Sequence, residues 1–407
     1  MRKGPPPEEK LQLLAEADRC VKCGLCLPTC PTYRLSGLEA ESPRGRIALI
    51  QGLLQGDLTH TAALETHLDN CLACRACEAA CPSGVRYGAL IDGARAFLDR
   101  PRAAGRRAVL WALSRPALGA AALRVARTLR LHRLAGAMPA GARRLLRLAT
   151  PGRTPRWVAP HSRAGGARGR VGLFSGCVAR EADLAVLGAA RALLEALGYE
   201  VVLPRGQGCC GAMHRHAGVL EGAAALASAH ARTWAAAGVE VVLSTATGCG
   251  AALREHGRWS NVAAPPAPPA VDLLTFLAAA DWSALAPRPL ATRIAVHLPC
   301  SARDAGLGSA TVLSLLGRIP GVETDLLDPS LGCCGAAGAY LLHHAANADT
   351  LRTPSLDAIA ASGAAIVVTA NVGCAMHLRA GLAERGHATR VAHPAEILAE
   401  AYLPQAR

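Results

Sequence analysis

CVKCGLCLPTCP (20–31) and CLACRACEAACP (71–82) write one pattern twice: Cys20-x2-Cys23-x2-Cys26-x3-Cys30-Pro31, then Cys71-x2-Cys74-x2-Cys77-x3-Cys81-Pro82. Three thiols two residues apart can wrap one corner of a compact inorganic cluster from a tight loop. The fourth cysteine lies further on, and the proline behind it turns the chain away, so its sulfur is free to reach a neighbouring centre.

This is the spacing of bacterial two-cluster ferredoxins, in which the fourth cysteine of each run ligates the other cluster. The expected ligand sets are therefore crossed: Cys20, Cys23, Cys26 and Cys81 for one [4Fe–4S] cluster, and Cys71, Cys74, Cys77 and Cys30 for the second. Zinc also accepts four thiolates. Its sites, however, pair two short knuckles rather than two complete four-cysteine runs with trailing prolines. Sixteen cysteines in all, and no apolar signal core in MRKGPPPEEKLQ, point to metal ligation in a reducing compartment rather than to disulfides.

The other eight cysteines form two sets with a common spacing. Cys177, Cys209, Cys210 and Cys249 match Cys300, Cys333, Cys334 and Cys374 at offsets of 123, 124, 124 and 125. Their neighbours match too: GCCGA recurs at 208–212 and 332–336, and TGC at 247–249 parallels VGC at 372–374. PPAPP (265–269) falls between the halves. Each half offers a lone cysteine at a strand end, a CCG turn and a third cysteine beyond another strand. Parallel strands gather their C-termini at one edge, so the four thiols of each half can converge there. These eight are candidates for one or two further clusters, with buried structural thiols as the alternative. Histidines accompany them: His214 and His216 follow the first CCG, His297 precedes Cys300, and His377 lies three residues after Cys374. His377 and His297 are the weaker ligand candidates; the position equivalent to His377 in the first half is Ala252.

Short β-branched runs at 171–174, 199–203, 239–244, 293–298, 322–327 and 365–370 alternate with Ala/Leu stretches at 183–197, 217–237, 309–317 and 340–361. That alternation predicts parallel sheets joined by right-handed crossovers. The first hundred residues read differently. Residues 43–55 are a predicted helix with Ser42 as cap and Pro43 in its first turn, followed by helices near 61–69 and 88–98. The expected fold class is thus multidomain α+β: a helical, ferredoxin-like domain with two [4Fe–4S] clusters (1–99), an Arg-rich amphipathic connector (100–169), and a duplicated α/β CCG domain (170–264 and 270–407).

The net charge is +14, yet it is concentrated. Residues 100–170 hold 17 arginines and no acid, while the remainder has 27 basic against 30 acidic residues. One cationic belt suits solvated helix faces, an anionic membrane surface or an acidic partner. Aromatics are only 3%, too few to interleave with the arginines as a base-stacking platform, which argues against nucleic acid. Without a run of about 20 uncharged apolar residues, no transmembrane helix is expected. The expected location is the cytoplasm, with peripheral contact at the inner face of the membrane as the further option.

Assembled, CVKCGLCLPTCPTY (20–33), SPRGRIALI (42–50), HLDNCLACRACEAACPSGVRYG (67–88), TATGCGA (245–251), CCGAAGAY (333–340) and TANVGCAMHL (369–378) resemble the iron–sulfur subunits of bacterial glycolate oxidase (glycolate dehydrogenase) nearly end to end. The resemblance implies an electron-transfer subunit. Its FAD-binding partner subunits would oxidise glycolate to glyoxylate and pass electrons through the clusters to an acceptor such as quinone. Flavin is expected only in those partners, because the chain has neither G-x-G-x-x-G nor a Walker-type loop. Subunits of other flavin dehydrogenases, acting on glycerol-3-phosphate, lactate or another 2-hydroxy acid, are the neighbouring alternative. A thiol–disulfide reductase like heterodisulfide reductase is the more distant one. Ala252 and His377 stand where such reductases carry an extra cysteine, which counts against their noncubane cluster here.

Overall fold

A computed structural model describes residues 7–98, 168–260 and 264–404, together with Leu110, Arg144 and Trp157. The predicted amphipathic helices of the Arg-rich stretch otherwise lie outside the described residues.

The N-terminal region is helical, as its sequence predicts. Helices Pro7–Asp18, Pro43–Gln55, Ala62–Asp69 and Tyr87–Phe97 pack Ile50, Leu54, Leu68, Leu90 and Ile91 into a small apolar core. Ser42 Oγ accepts from Gly45 N at 2.9 Å and Pro43 occupies the first turn, so helix 43–55 begins where the cap pattern places it. Thr61 does the same for the next helix, accepting from Leu64 N at 3.2 Å. The glycine of PRGRI has a packing reason. A Cβ at Gly45 would lie 1.9 Å from the Glu39 carbonyl oxygen, so the chain at 39–41 can press against this helix only if residue 45 has no side chain.

The rest of the chain builds two parallel sheets of identical topology. Strands β1 (Arg170–Phe174), β2 (Glu200–Val202), β3 (Val241–Ser244) and β4 (Ala270–Asp272) lie in the order β2-β1-β3-β4. Strands β5 (Thr292–His297), β6 (Val322–Leu326), β7 (Ile366–Thr369) and β8 (Arg390–Ala392) lie in the order β6-β5-β7-β8. Registers correspond as well: Arg170 pairs with Glu200 and Arg293 with Glu323. The six expected strands are all present. The edge strands β4 and β8 are additional; each holds a single β-branched residue, Val271 and Val391, and so leaves no β-branched run. The single helix expected over 340–361 is broken at His344 (φ −121°) into Tyr340–His343 and Ala345–Ala361.

The two repeats share one core. Leu173, Leu193, Leu243 and Leu273 of the first belong to the same buried cluster as Ile294, Val296, Val368 and Ile397 of the second. Helix Leu184–Ala196 lies against helix Pro394–Tyr402 across the junction. Thr247 N donates to Ala370 O at 2.9 Å, and Thr247 Oγ1 meets Ser301 Oγ at 2.7 Å, so the cysteine-bearing edges of both sheets face one another. Among the described residues no helix is long and apolar enough to cross a membrane.

Candidate metal centres

The two N-terminal loops share a backbone that explains their spacing. Lys22 (φ 57°) and Gly24 (φ 87°) adopt the left-handed conformation, as do Ala73 (φ 53°) and Arg75 (φ 57°) at the matching places of the second loop. Three of these four carry a side chain, in a region that disfavours one. The left-handed residues curl each loop so that its cysteines turn inward instead of alternating along an extended strand.

Cys20, Cys23, Cys26 and Cys81 line one pocket, together with Val21, Ile47, Val85 and the edge of Cys77. The second group forms deeper. Burial, then the neighbouring sulfurs of Cys74, Cys71 and Cys30, pushes the Cys77 thiol well up. Cys30, from the first run, therefore lies with Cys71, Cys74 and Cys77 of the second. The Cys71 sulfur accepts from Ala73 N at 3.4 Å and from the Tyr87 hydroxyl at 3.7 Å, while Cys30 Sγ lies 3.3 Å from Thr32 Oγ1. One loop is open to solvent, with Cys23 exposed; the other is enclosed.

Each sheet edge gathers its own four cysteines in one connected chain of thiols. Cys177 contacts Cys209, Cys209 contacts Cys210, and Cys210 contacts Cys249. In the second repeat Cys300 contacts Cys333, Cys333 contacts Cys334, and Cys334 Sγ lies 2.9 Å from Cys374 Sγ. The lone cysteines follow β1 and β5, while Cys249 and Cys374 sit in the first turns of helices Thr247–Trp259 and Val372–Glu384. In both CCG turns the glycine N–H donates back to the first cysteine sulfur, at 3.4 Å from Gly211 to Cys209 and from Gly335 to Cys333. Hydrogen bonds from the Cys177 and Cys210 thiols hold Cys209 far below the usual thiol range, whereas the thiol contact with Cys333 and burial push Cys300 well up. Four sulfurs so confined favour at most one negative charge among them, unless a cation is present to stabilise more. Each of the four places supplies four soft sulfur donors, the set that [4Fe–4S] clusters take.

Three of the four histidines anticipated beside these cysteines have other partners. His297 is buried with Nδ1 3.0 Å from Thr369 Oγ1, its cross-strand neighbour between β5 and β7. His377 is fully buried with Nε2 3.2 Å from the Ala348 carbonyl. Burial lowers both to about 4, leaving them neutral at ordinary pH. His216 Nδ1 lies 3.1 Å from Asp92 on the N-terminal helix Tyr87–Phe97, whereas His214 is buried and its side chain hydrogen-bonds Cys209. Two histidines that the sequence did not single out touch the first CCG directly: His230 Nε2 is 3.0 Å from the Cys209 carbonyl and His256 Nε2 is 2.8 Å from that of Cys210. His230 sits on the Ala-rich helix Leu220–Ala237 and His256 on Thr247–Trp259, the helix that begins beside Cys249, and each is far along the chain from the carbonyl it meets.

The enclosed loop docks onto both repeats. Leu72 and Cys74 pack with Cys300 and Cys333 in one apolar cluster, and the Cys300 sulfur is the foremost charge acting on Cys74. Arg75 bonds Glu255 at 2.6 Å, and its carbonyl accepts from Arg303 at 2.9 Å. Arg95 is buried and donates to the carbonyls of Leu68, Cys71 and His216 at 2.7, 2.6 and 2.9 Å. Arg34 reaches the Ser330 carbonyl at 2.8 Å.

A dicluster scaffold of crossed cysteine runs, pressed against paired four-cysteine edges, defines a multi-cluster iron–sulfur protein. Residues 16–85 match the 4Fe-4S dicluster domain family, and residues 171–254 and 294–379 each match the cysteine-rich domain family. The chain is 35% identical to the glycolate oxidase iron-sulfur subunit of Escherichia coli (strain K12), over 94% of this chain and 93% of that one. It is 30% identical to the probable glycolate oxidase iron-sulfur subunit of Bacillus subtilis (strain 168), over 95% and 94%. A local likeness of 33% identity to one subunit of the anaerobic glycerol-3-phosphate dehydrogenase of E. coli (strain K12) covers 28% of this chain and 27% of that one. The chain belongs to the glycolate oxidase iron–sulfur subunit family and binds multiple 4Fe–4S clusters.

Proposed function

We propose that this chain conducts electrons from a flavin-bearing partner subunit, which oxidises glycolate to glyoxylate, to a quinone acceptor. Glycolate oxidation releases two electrons and two protons. A flavin in the partner would supply two-electron acceptance and clusters held by this chain's cysteines would supply one-electron steps, so that quinone with two protons would close the balance as quinol. Cys20, Cys23, Cys26 and Cys81 hold one [4Fe–4S] cluster and Cys71, Cys74, Cys77 and Cys30 the second. Cys177, Cys209, Cys210 and Cys249, and Cys300, Cys333, Cys334 and Cys374, hold two more.

The observation carrying this reading is the burial of Cys74 against Cys300 and Cys333, which makes the enclosed ferredoxin-type site and the second sheet-edge site immediate neighbours. The Arg-rich stretch is assigned to peripheral contact with the inner face of the cytoplasmic membrane, where anionic lipid favours arginine. The local likeness to the glycerol-3-phosphate dehydrogenase protein supports a second reading, with another flavin dehydrogenase as donor.

Copurification of the intact complex, with iron, sulfide and flavin quantified and substrates compared, separates these. Expected are about sixteen irons per chain at four per cluster, flavin only in the partners, and reduction of the clusters by glycolate. Reduction by glycerol-3-phosphate but not glycolate would overturn the assignment of donor, and glycolate oxidation by the isolated chain would overturn its role.

A further inference from the structure

The enclosed cysteine group has a companion that the open one lacks. Arg46, on helix Pro43–Gln55, is fully buried. Its Nη1 donates to Thr32 Oγ1 at 3.0 Å, and that oxygen is 3.3 Å from Cys30 Sγ. Nη1 also reaches the Glu41 carbonyl at 2.5 Å, and Nε the His67 carbonyl at 2.6 Å. Nη2 pairs with the Glu41 carboxylate.

Glu41 is itself buried and held from its far side, by His67 Nδ1 at 2.7 Å and Asn70 Nδ2 at 2.9 Å. The ion pair is therefore a fixed dipole. Its guanidinium acts on Cys71 and Cys30, and the Glu41 carbonyl accepts from Cys30 Sγ at 3.5 Å. The cation beside the open group is different: Arg44 Nη1 contacts the Lys22 carbonyl at 3.1 Å, but its side chain is 31% exposed and paired with Glu39. Water and salt screen a charge so placed, whereas a buried charge keeps its reach.

Burying a guanidinium is costly even when it is paired, and an apolar side chain could fill the same volume. We propose that Arg46 is a positioning residue for electron transfer: a permanent buried cation that raises the reduction potential of the cluster held by Cys71, Cys74, Cys77 and Cys30 relative to what that pocket would otherwise impose. The inference rests on the ligand assignment above. Reduction adds one electron to the cluster, in the [4Fe–4S]2+/1+ couple, and no bond to Arg46 forms or breaks. The guanidinium stabilises the added negative charge, and burial preserves the effect. The electron is thereby favoured at the centre that adjoins Cys300.

The test is a redox titration of the copurified complex, followed by electron paramagnetic resonance, in wild type, Arg46→Gln, Arg46→Lys and Glu41→Gln, each after an iron count. Arg46→Gln is expected to retain its iron and to lower one midpoint by about 59 mV or more, a tenfold change for a one-electron couple. Arg46→Lys should shift it less, and Glu41→Gln should shift it upward. Equal falls in Arg46→Gln and Arg46→Lys, no movement in any variant, or a fall in Glu41→Gln would each overturn the proposal. Where Arg46→Gln does not assemble, the sign of the Glu41→Gln shift decides. A wild-type chain with fewer than about eight irons would instead refute the ligand assignment, whatever the midpoints do.

Discussion

The two CCG repeats share strand order, register and cysteine spacing, yet they place their sulfurs in different surroundings. In the first, the CCG carbonyls are held by His230 and His256, whose rings stack at 5.5 Å, with Phe174 edge-on to His230 and Trp259 tilted against His256. In the second, the sulfurs lie under Leu72, Tyr340 and Leu341, next to Cys74. The CCG carbonyls of the first site are held from within its own repeat, whereas the sulfurs of the second are covered by Leu72 and Cys74 of the N-terminal region. Duplication preserved the ligand cradle, and divergence acted on what covers it.

The severest test of that preserved cradle is its chemistry. Cys210→Ser and Cys334→Ser are each expected to remove about four irons per chain, one cluster's worth. Cys334→Ser should also cut glycolate-dependent quinone reduction at least tenfold, because its site adjoins the enclosed ferredoxin-type centre. Iron analysis and turnover check both, and loss of iron from only one variant would break the equivalence of the repeats.

Next in size is packing. Trp234 is 2% exposed, and a Cβ at Gly172 of β1 would come within 2.6 Å of its ring. The matching position in β5 is Ala295. Trp234→Ala should therefore destabilise the first repeat by about 3–5 kcal/mol, read from denaturant midpoints.

The pH response should also distinguish the halves. Asp272 ends edge strand β4 and His393 follows the equivalent strand β8, and each caps the helix beyond: Asp272 accepts from Leu274 N at 2.8 Å, His393 from Ala395 N at 3.0 Å. Burial raises Asp272 from 3.8 to about 7, so the stability it contributes is complete below pH 3.8 and is lost as pH rises towards 7. Burial lowers His393 from 6.5 to about 4, so its contribution is complete above pH 6.5 and is lost as pH falls towards 4. Asp272→Asn should flatten the first slope and His393→Asn the second, in thermal melts across pH 4 to 8.

The smallest effect belongs to the most visible correspondence. Arg170–Glu200 and Arg293–Glu323 bridge the same strand pair in each sheet, at 2.9 and 3.1 Å, and all four side chains are exposed. Replacing either arginine by Ala should change stability by less than about 1 kcal/mol; a larger loss would mean these bridges do more than decorate the edge.

The architecture was legible where chemistry repeats locally. Cysteine spacing announced both the crossed runs and the duplication, and β-branched runs announced six of eight strands. What escaped depends on distance along the chain. The docking of Cys74 on Cys300, the carbonyl contacts of His230 and His256, and the stacking of two sheets into one core all join residues that no window of sequence holds together. Arg46 was partly visible, since SPRGRIALI is among the segments that carry the family resemblance; that its guanidinium is buried beside Cys30 was not. His377 was singled out from its place after Cys374, and the structure gives its Nε2 to the Ala348 carbonyl instead.

The shared core also constrains biogenesis. Helix Leu184–Ala196 finds its apolar partner in Pro394–Tyr402, which is synthesised only after the whole second sheet. Domains commonly fold as they emerge, at about 5–20 residues per second. Here the first repeat must wait with an Ala/Leu face uncovered until the second repeat has been made. During that interval Cys177, Cys209, Cys210 and Cys249 are synthesised but not yet sealed, which leaves a period for iron loading before the fold closes around them.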